Sequence, residues 1–329
     1  MRALVRDRFG PPDVLEVRDV PQPVPKERQV LVRVRACSLN DWDSELLSGP
    51  TFPWQSKTVP RERILGSDIA GEVVDAGSGV ARDGVSSVFR PGDRVYGDLS
   101  GRAGFGGFAE YVCAPERLLA PMSPRMTFEQ AAALPQAGQL AVQGIAAAGP
   151  LKPRQTILIN GAGGGVGTIG VQLAKSQMPD VHVTGVDSGM KFDTMRRAGF
   201  DDVIDYAKED FTRNGRQYDL IVDTRTTRRP EDHVRALSPG GTYATVGGPS
   251  IPLLLGIPLV GWWYRLTRGK TVTLVALRPS RDLSYMNEQF DAGKLTPVID
   301  GSYTLDTARD AFRRFHAGQH LGKIVITID

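Results

Sequence analysis

Cysteine is scarce in this sequence: Cys37 and Cys113 are the only two among 329 residues. Two cysteines are too few for a disulfide framework or a cysteine-rich zinc lobe, so we expect a reducing, cytoplasmic setting. The N-terminal stretch 1–7 lacks the apolar core of a signal peptide and carries an acid too early for a transit peptide. Nothing in it predicts a targeting address.

Long hydrophobic runs and charge of one sign are absent as well. The longest apolar run, 251–263, contains Pro252, Gly256 and Pro258 and falls short of the ~20 residues that a membrane span requires. It predicts a pocket wall or an interface rather than a membrane anchor. Lys and Arg number 40 against 37 Asp and Glu, a net charge of +3 spread along the chain, which gives no electrostatic basis for binding nucleic acid.

The length and the residue pattern predict two domains in an α/β protein. At ~150 residues per domain, the chain is long enough for two cores. Residues 1–124 carry short β-branched runs and turns, whereas strand and helix patterns alternate over 125–276, which predicts a doubly wound parallel sheet. We place its strands at 156–160, 181–187, 203–206, 220–223, 242–246 and 271–277. Residues 277–329, with a helix over 305–316 and a strand over 323–328, are expected to return and complete the first domain.

A glycine-rich turn follows the first strand of this sheet. Residues 157–160 form the end of an apolar strand, and the next positions read Ala162-x-Gly164-x-x-Gly167 before a helical pattern over 169–175. Glycines let the backbone approach a pyrophosphate, and the helix N-terminus offers N–H groups to its charge. A purely structural turn is the alternative, but the strand before and the helix after favour a dinucleotide. The candidate cofactor-binding residues are Ala162, Gly163, Gly164, Gly165, Val166 and Gly167.

An acid at the end of the next strand bears on the choice of cofactor. Asp187 lies 20 residues after Gly167. A carboxylate there can bond the adenosine ribose and repel a 2′-phosphate, which favours NADH. Ser188 and Lys191 follow it, and they could bind a 2′-phosphate instead. The residues therefore predict NADPH or NADH and leave both open.

Further motifs are spread over nearly the whole chain. They read SLNDWD at 38–43, GSDIAGEV at 66–73, RPGDRV at 90–95, GFAEY at 107–111, AALP at 132–135, PGG at 239–241 and GKLTPVID at 293–300. In order and spacing they resemble the medium-chain dehydrogenase/reductase superfamily, specifically its zinc-independent quinone oxidoreductase branch. The resemblance implies a Rossmann domain, a split and mainly β GroES-like catalytic domain, a cleft between them, and a homodimer. It also implies hydride transfer from NADPH or NADH to a quinone or an α,β-unsaturated carbonyl.

The resemblance also bears on zinc. Zinc-dependent relatives carry a cysteine where Asn40 stands and a His-Glu pair where Ser67 and Asp68 stand. Neither set of ligands is present, so we expect no catalytic zinc. Cys113 alone cannot form a four-cysteine structural site. No metal is predicted.

The same resemblance indicates the catalytic residues. It implies that Asn40 and Asp43 lie near the nicotinamide ribose, where an amide can hold a hydroxyl or donate to a carbonyl. A turn cap is the alternative role for Asn40. The Tyr96 hydroxyl is a candidate proton donor to the substrate oxygen, although its position also fits a strand side chain. Solvent is the other source of the proton.

Aromatic residues supply the candidate substrate pocket. Trp42 and Trp54 belong to loops expected to face the cleft, and flat aromatic walls suit quinones and enones. The turn of Val246 and Gly247 is expected to contact the cofactor. Trp262 follows that turn and either covers the pocket or forms a dimer interface.

Two departures from the family pattern leave alternatives open. Leu140 stands where relatives usually carry a threonine that reaches the nicotinamide end of the cofactor, and Arg225 lies in a basic segment where relatives have small residues. Both favour a catalytically weak NAD(P)H-binding sensor protein as an alternative function. An enoyl-thioester reductase is another, for which Lys57, Arg61 and Arg63 could form a basic mouth.

Overall fold

The computed structural model describes residues 1–50, 58–76, 88–100, 104–247 and 251–329, with the backbone alone over 251–255. In chain order its helices and strands are β1 (Arg2–Val5), β2 (Glu16–Asp19), β3 (Gln29–Ser38), α1 (Asp41–Ser48), β4 (Asp68–Ala76), β5 (Arg94–Asp98), β6 (Tyr111–Pro115), β7 (Leu119–Pro121), α2 (Phe128–Ala132), α3 (Pro135–Ala146), β8 (Thr156–Asn160), α4 (Gly165–Gln177), β9 (His182–Asp187), α5 (Phe192–Ala198), β10 (Asp202–Asp205), β11 (Tyr218–Asp223), α6 (Pro230–Arg235), β12 (Leu237–Thr245), α7 (Ile251–Arg268), β13 (Thr271–Leu274), α8 (Leu283–Asp291), β14 (Ile299–Thr304), α9 (Ala308–His316) and β15 (Lys323–Thr327). The chain packs as two compact units. The first unit comprises Met1–Gln136, Pro279–Asp291 and Ile299–Asp329, and the second comprises Ala137–Arg278 and Ala292–Val298.

A largely antiparallel sheet dominates the first unit. Its strands run in the order β14-β15-β3-β4-β5-β7, and β6 also pairs with β3. Along β3, burial alternates over residues 32–36, where Val32, Val34 and Ala36 are buried while Arg33 and Arg35 are only partly so. Residues 30–31 and 37–38 are buried on both faces of the strand. β15 pairs with the last residues of β3, and this pairing brings the C-terminal strand beside α1 and the start of β4.

The second unit contains a six-stranded parallel sheet in the order β10-β9-β8-β11-β12-β13. The chain runs outward from β8 first in one direction and then in the other. This arrangement is the doubly wound fold, in which ligands bind at the carboxyl ends of the strands, where the winding reverses. Leu158, Ile221 and Tyr243 are buried in its core. The doubly wound parallel sheet predicted from the sequence is confirmed.

The segment predicted to return to the first domain, 277–329, is divided between the two units. Residues Ala292–Val298 cluster with the second unit. There the Gln172 side chain of α4 donates to the Thr296 carbonyl (3.0 Å) and accepts from the Thr296 N–H (2.9 Å). Gln172 and Thr296 are 124 residues apart in the sequence, so no local pattern predicts these two hydrogen bonds.

The apolar run 251–263 belongs to α7, a helix of 18 residues that continues past Pro258. Proline removes one helical hydrogen bond, and close packing on the sheet offsets that loss. A side chain on Gly261 would overlap the Val272 carbonyl oxygen of β13, which shows how near the helix lies to the strand. Across the described ranges, no helix combines the length and apolar character needed to cross a membrane.

Candidate functional site

The glycine-rich turn lies between the carboxyl end of β8 and the start of α4. Gly161 has a φ of +85°, a left-handed backbone conformation that favours glycine. Gly167 lies in the first turn of α4, where a side chain would overlap the carbonyl oxygen of Ala162. The helix therefore approaches the turn more closely than a residue with a Cβ atom would allow.

This turn has the features that a dinucleotide pyrophosphate requires. α4 is 13 residues long, and no side chain caps its N-terminus because the N-cap residue is Gly164. The first N–H groups of a helix and its dipole attract an anion. Residues 162–167 therefore fit a dinucleotide, with the pyrophosphate at the start of α4.

Three neighbours hold the carboxylate of Asp187 at the end of β9. The N–H groups of Gly163 (2.9 Å) and Ser188 (2.8 Å) donate to it, and the Lys191 ammonium lies 3.3 Å away. Lys191 is itself buried. The Ser188 Oγ atom is buried too, and within the described part of the chain it has no hydrogen-bond partner. The residues predicted to select the cofactor thus form one cluster, in which an ammonium offsets the charge of Asp187.

The loops after β11 and β12 are joined at the same edge of the sheet. The Val246 N–H donates to the Asp223 carbonyl (3.0 Å), and the Thr226 hydroxyl donates to the Gly247 carbonyl. The Asp223 carboxylate also accepts from Asn160 Nδ2 at the end of β8 (2.8 Å). These contacts hold the predicted turn of Val246 and Gly247 beside the glycine-rich turn. Sequence reasoning missed Thr226, whose φ of +43° is rare for a β-branched residue and has no local signature.

The two departures from the family pattern lie in the second unit. The Arg225 N–H donates to the Asp223 carboxylate (2.9 Å). Its side chain passes the glycine-rich turn, with Cδ 3.4 Å from the place where a Cβ on Gly161 would stand. Leu140 is half-buried in α3. The Arg225 side chain therefore lies beside the glycine-rich turn.

Asn40 and Asp43 form the N-terminus of α1 in the first unit. The Asn40 N–H donates to one carboxylate oxygen of Asp43 (2.9 Å), and the Gly66 N–H donates to the other (2.8 Å). Burial raises the pKa of Asp43 to about 6, against the effect of these two N–H groups. Asp43 therefore ties the start of α1 to the loop before β4. Asn40 is the N-cap residue of α1, which agrees with its alternative role as a cap, and its side-chain amide contacts Ser67 and Lys323.

A buried lysine that sequence reasoning missed contacts the Asn40 amide. The Lys323 ammonium, at the start of β15, donates to the Asn40 side-chain oxygen and to the Leu39 carbonyl (3.0 Å). It also lies 3.5 Å from a carboxylate oxygen of Asp68. Burial raises the pKa of Asp68 to about 7, and Lys323 opposes that rise. The sequence signal that could have identified Lys323 is its place as the first residue of an otherwise apolar strand.

The Tyr96 hydroxyl is buried and already bonded within the first unit. It lies 2.8 Å from the Leu283 carbonyl and 2.9 Å from the Asn287 side-chain oxygen, both on α8. Burial raises its pKa. Because a tyrosine has a single proton to donate, these acceptors favour the role of a strand side chain over that of a proton donor.

The predicted pocket tryptophans are largely exposed. Trp42 on α1 is 45% exposed, and Trp262 on α7 is 66% exposed. Of the two roles predicted for Trp262, an outward helix face fits an interface better than a pocket cover. Trp54 lies outside the described residues.

The basic mouth suggested for a thioester substrate finds little support. Arg63 pairs with Asp7, and the Arg61 guanidinium lies 3.8 Å from the Glu62 carboxylate. Lys57 lies outside the described residues. The charges of both arginines are therefore balanced locally.

Among the described residues, the side chains around Asn40 do not form a metal-binding group. In the ranges that the structure covers, no three His, Cys, Asp or Glu side chains come together as a metal ion would need. Cys37 is completely buried, and burial raises its pKa well above the usual value, which keeps it a protonated thiol. The groups nearest Asn40 are the hydroxyl of Ser67, the carboxylates of Asp43 and Asp68, and the ammonium of Lys323.

Comparison with known families agrees with this architecture. Residues 26–124 match the family described as "Alcohol dehydrogenase GroES-like domain". Residues 198–326 match the family described as "Zinc-binding dehydrogenase". The predicted combination of a GroES-like domain and a Rossmann-type sheet is confirmed.

Individual relatives cover nearly the whole chain. "Quinone-oxidoreductase QR1, chloroplastic" from Triphysaria versicolor is 32% identical over 99% of this chain and 98% of its own length. "NADPH-dependent alkenal/one oxidoreductase, chloroplastic" from Arabidopsis thaliana is 30% identical over 99% of this chain and 79% of its own. The solved structure of the quinone oxidoreductase from Coxiella burnetii is 26% identical, with a TM-score of 0.82 over 100% of this chain and 99% of that one. The chain therefore belongs to the medium-chain dehydrogenase/reductase superfamily, in its quinone-oxidoreductase-like branch.

Proposed function

We propose that this protein is a zinc-independent, NADPH-dependent reductase of quinones and α,β-unsaturated carbonyls. The observation that carries the proposal is the glycine-rich turn before α4 with the Asp187–Lys191 pair beside it. The names of relatives that match almost the whole chain supply the substrate classes. Bound at this turn, a reduced nicotinamide cofactor would supply the hydride.

The chain's own residues bind and orient the reactants. The start of α4 holds the pyrophosphate, and the turn of Val246 and Gly247 borders the cofactor at the same edge of the sheet. Asn40 offers its amide to a ribose hydroxyl or to the substrate carbonyl, and Asp43 fixes the helix end that carries Asn40. Because the Tyr96 hydroxyl is bonded to α8, the proton comes from solvent.

NADPH suits the Asp187–Lys191 pair better than NADH does. A lone carboxylate at the end of β9 would repel a 2′-phosphate. The Lys191 ammonium at 3.3 Å offsets that charge and can itself bind a phosphate oxygen. The buried Ser188 hydroxyl adds a further donor.

The charges around Asn40 support zinc independence. The Lys323 ammonium is buried 3.5 Å from Asp68. A divalent cation placed there would meet this positive charge at short range. The neighbouring amide, hydroxyl and carboxylate groups are also not the thiolate and imidazole ligands that zinc prefers.

The outward face of α7 supports a homodimer. Leu259, Trp262, Trp263 and Leu266 are all exposed, at the i, i+3, i+4, i+7 spacing of one helix face. A contiguous apolar patch of this kind marks an interaction surface, and the proposed partner is a second copy of the chain. The cytoplasmic setting stays a prediction from cysteine content alone.

A steady-state assay tests the reaction and the cofactor together. Metal-chelated protein is mixed with NADPH or NADH and a quinone, an enone or an enoyl-thioester, and the loss of reduced nicotinamide is followed by absorbance. We expect turnover of the quinone and the enone, with kcat/KM at least about tenfold higher with NADPH, as a phosphate contact to an ammonium predicts. Lys191→Ala should remove most of that preference. Lys175→Ala is the matched control, because Lys175 on α4 pairs with Asp201 at 2.7 Å.

Each other result of this assay favours a different function or contradicts the role of Lys191. Turnover of the enoyl-thioester alone would favour the thioester reductase. Cofactor binding without turnover of any substrate would favour the sensor protein. If Lys191→Ala and Lys175→Ala change the NADPH preference equally, the assignment of Lys191 is wrong.

A further inference from the structure

Lys323 joins parts of the chain that lie far apart in sequence. Its ammonium donates to the Asn40 side-chain oxygen, 283 residues away, and only 4% of the residue is exposed. An ammonium leaves water at a high cost unless charges and acceptors replace the water. Here the Asp68 carboxylate, the Asn40 amide oxygen and the Leu39 carbonyl replace it. The Lys323 ammonium is therefore held in one place by these three groups.

The chemistry of these groups fixes the direction of the Asn40 amide. An ammonium has only donors, so the atom that faces it is the amide oxygen. The amide nitrogen then points the other way, where it donates to the Ser67 hydroxyl (3.4 Å) and to the Asp68 carboxylate. An amide turned by a half-rotation would set its N–H groups against the ammonium. Lys323 on one side and Asp68 on the other thus hold a single orientation.

We infer that Lys323 is a positioning residue for Asn40, holding its amide in the orientation that hydride transfer uses. The inference rests on the proposed function, in which Asn40 contacts the cofactor or the substrate. A group held in place before the reaction needs no reorganisation during it, which is how a residue remote from the reacting atoms affects kcat.

Lys323 also balances the charge of three buried carboxylates. Asp43, Asp68 and Asp98 are completely buried, and the Lys323 charge lowers the pKa of each against the effect of burial. Removal of Lys323 alone would take away a positive charge that acts on all three carboxylates and would destabilise the first unit. The lysine is therefore best tested in an Asp68→Asn background, where one of the carboxylates is already neutral and the asparagine oxygen can still accept from the Asn40 amide.

The kinetic test is a double-mutant cycle between Lys323→Met and Asn40→Ala in the Asp68→Asn background. If Lys323 acts through Asn40, Lys323→Met lowers kcat/KM about tenfold when Asn40 is present. It then lowers kcat/KM less than about twofold when residue 40 is alanine. The effect should lie in kcat, while the Kd of NADPH, measured by its fluorescence, changes little. A purely structural lysine would give additive losses.

Nuclear magnetic resonance of the side-chain amide provides a readout without substrate. The sequence has four asparagines, so asparagine-selective ¹⁵N labelling of the wild-type protein gives few NH₂ signals, and Asn40→Ala identifies the one of interest. Lys323→Met should shift that signal in the Asp68→Asn background, which carries one added asparagine. Lys270→Met is the matched control, since the Lys270 ammonium donates to the carbonyls of Val234 (2.8 Å) and Leu237 (2.7 Å) in the second unit.

The outcomes separate this inference from the proposed function. An unmoved Asn40 signal, or additive losses in the cycle, overturns the positioning role of Lys323. If Asn40→Ala leaves kcat/KM unchanged, the positioning role of Lys323 is overturned as well, because the Asn40 amide then takes no part in the reaction. Absence of turnover in the wild-type protein with every substrate counts against the proposed function, while the amide signal still reports the Lys323 contact.

Discussion

Asp68 and Asp98 lie directly opposite each other on β4 and β5, and both are completely buried. Burial raises the pKa of each carboxyl, and the Asp98 charge raises that of Asp68 further, because like charges across a strand pair repel. Asp43 adds a third carboxyl, whose pKa burial raises to about 6. The folded first unit therefore binds protons that the unfolded chain has already released.

Stability should consequently fall as the pH rises from weakly acid to neutral. Carboxyls with a raised pKa in the folded state contribute stability that is complete below their unfolded pKa, near 3.8, and is lost as the pH passes about 6 for Asp43 and about 7 for Asp68. The slope reaches at most ~1.4 kcal/mol per pH unit for each proton. We expect the free energy of unfolding to decrease between pH 5 and pH 7 and to level off by pH 8.

Urea unfolding at several pH values checks this slope. Asp68→Asn should make it shallower, because asparagine has no proton to release. Asp201→Asn is the control: burial acts to raise the pKa of Asp201, but the hydrogen bond from Lys175 and other contacts lower it overall. Its stabilisation is therefore lost only below pH 4, and this variant should keep the wild-type slope. A wild-type slope in Asp68→Asn would show that Asp68 is ionised throughout.

At the scale of elements, α4 depends on its close approach to the turn after β8. A Cβ at Gly167 would overlap the Ala162 carbonyl oxygen, and Ala162 is itself buried. Backbone atoms on both sides cannot yield as a side-chain tip can. Gly167→Ala must therefore move the start of α4 away from the turn, where the pyrophosphate is proposed to bind.

We expect Gly167→Ala to weaken NADPH binding more than about tenfold, since misplacing a binding group by a fraction of an ångström has effects of this size. Gly170→Ala is a control in the same helix, because its Cβ would meet the Ile159 Cδ1 side-chain tip at 3.3 Å and the Ala141 Cβ at an ordinary contact distance of 3.7 Å, with no backbone atom in the way. Fluorescence titration with NADPH and thermal unfolding measure both effects. Equal affinities for the two variants would place the cofactor elsewhere.

At the scale of the whole molecule, α7 has two apolar faces. Ile257 is buried and Tyr264 packs against the core of the second unit, while Leu259, Trp262 and Leu266 are exposed on the other side. A helix that is apolar all round is normally buried on every side. In the proposed homodimer, the second copy covers the outer face.

Light scattering after size-exclusion chromatography tests the dimer. The wild-type protein should have twice the chain mass of 35.7 kDa. Trp262→Glu with Leu266→Glu should give the monomer mass with an unchanged circular dichroism spectrum, because both side chains are exposed and charges are excluded from apolar interfaces. Val24→Glu, at another exposed apolar position, is the control. A dimeric double variant would exclude this face.

The architecture could be predicted almost entirely from local patterns. Each strand of the doubly wound sheet is a short apolar run, and the glycine-rich turn lies within a few residues of the strand and helix that it joins. The division of residues 277–329 between the two units could not be predicted from local patterns, because residues 292–298 join the second unit through a side-chain pair with Gln172. Local patterns also did not assign a helix to the apolar run 251–263, which the structure includes in α7, close to β13.

The two-domain α/β class, the dinucleotide turn, and Asp187 and Lys191 as candidates could be predicted from the residues alone, because each belongs to a short motif with a local chemical meaning. Asn40 and Asp43 became candidates through the resemblance to a known family. How these residues are paired depends on the tertiary structure. In the folded chain, Lys191 pairs with Asp187, the Tyr96 hydroxyl bonds to α8, and the Lys323 ammonium donates to the Asn40 amide oxygen. Such pairings depend on burial and on contacts between residues as much as 283 positions apart, and periodicity along the chain contains no information about them.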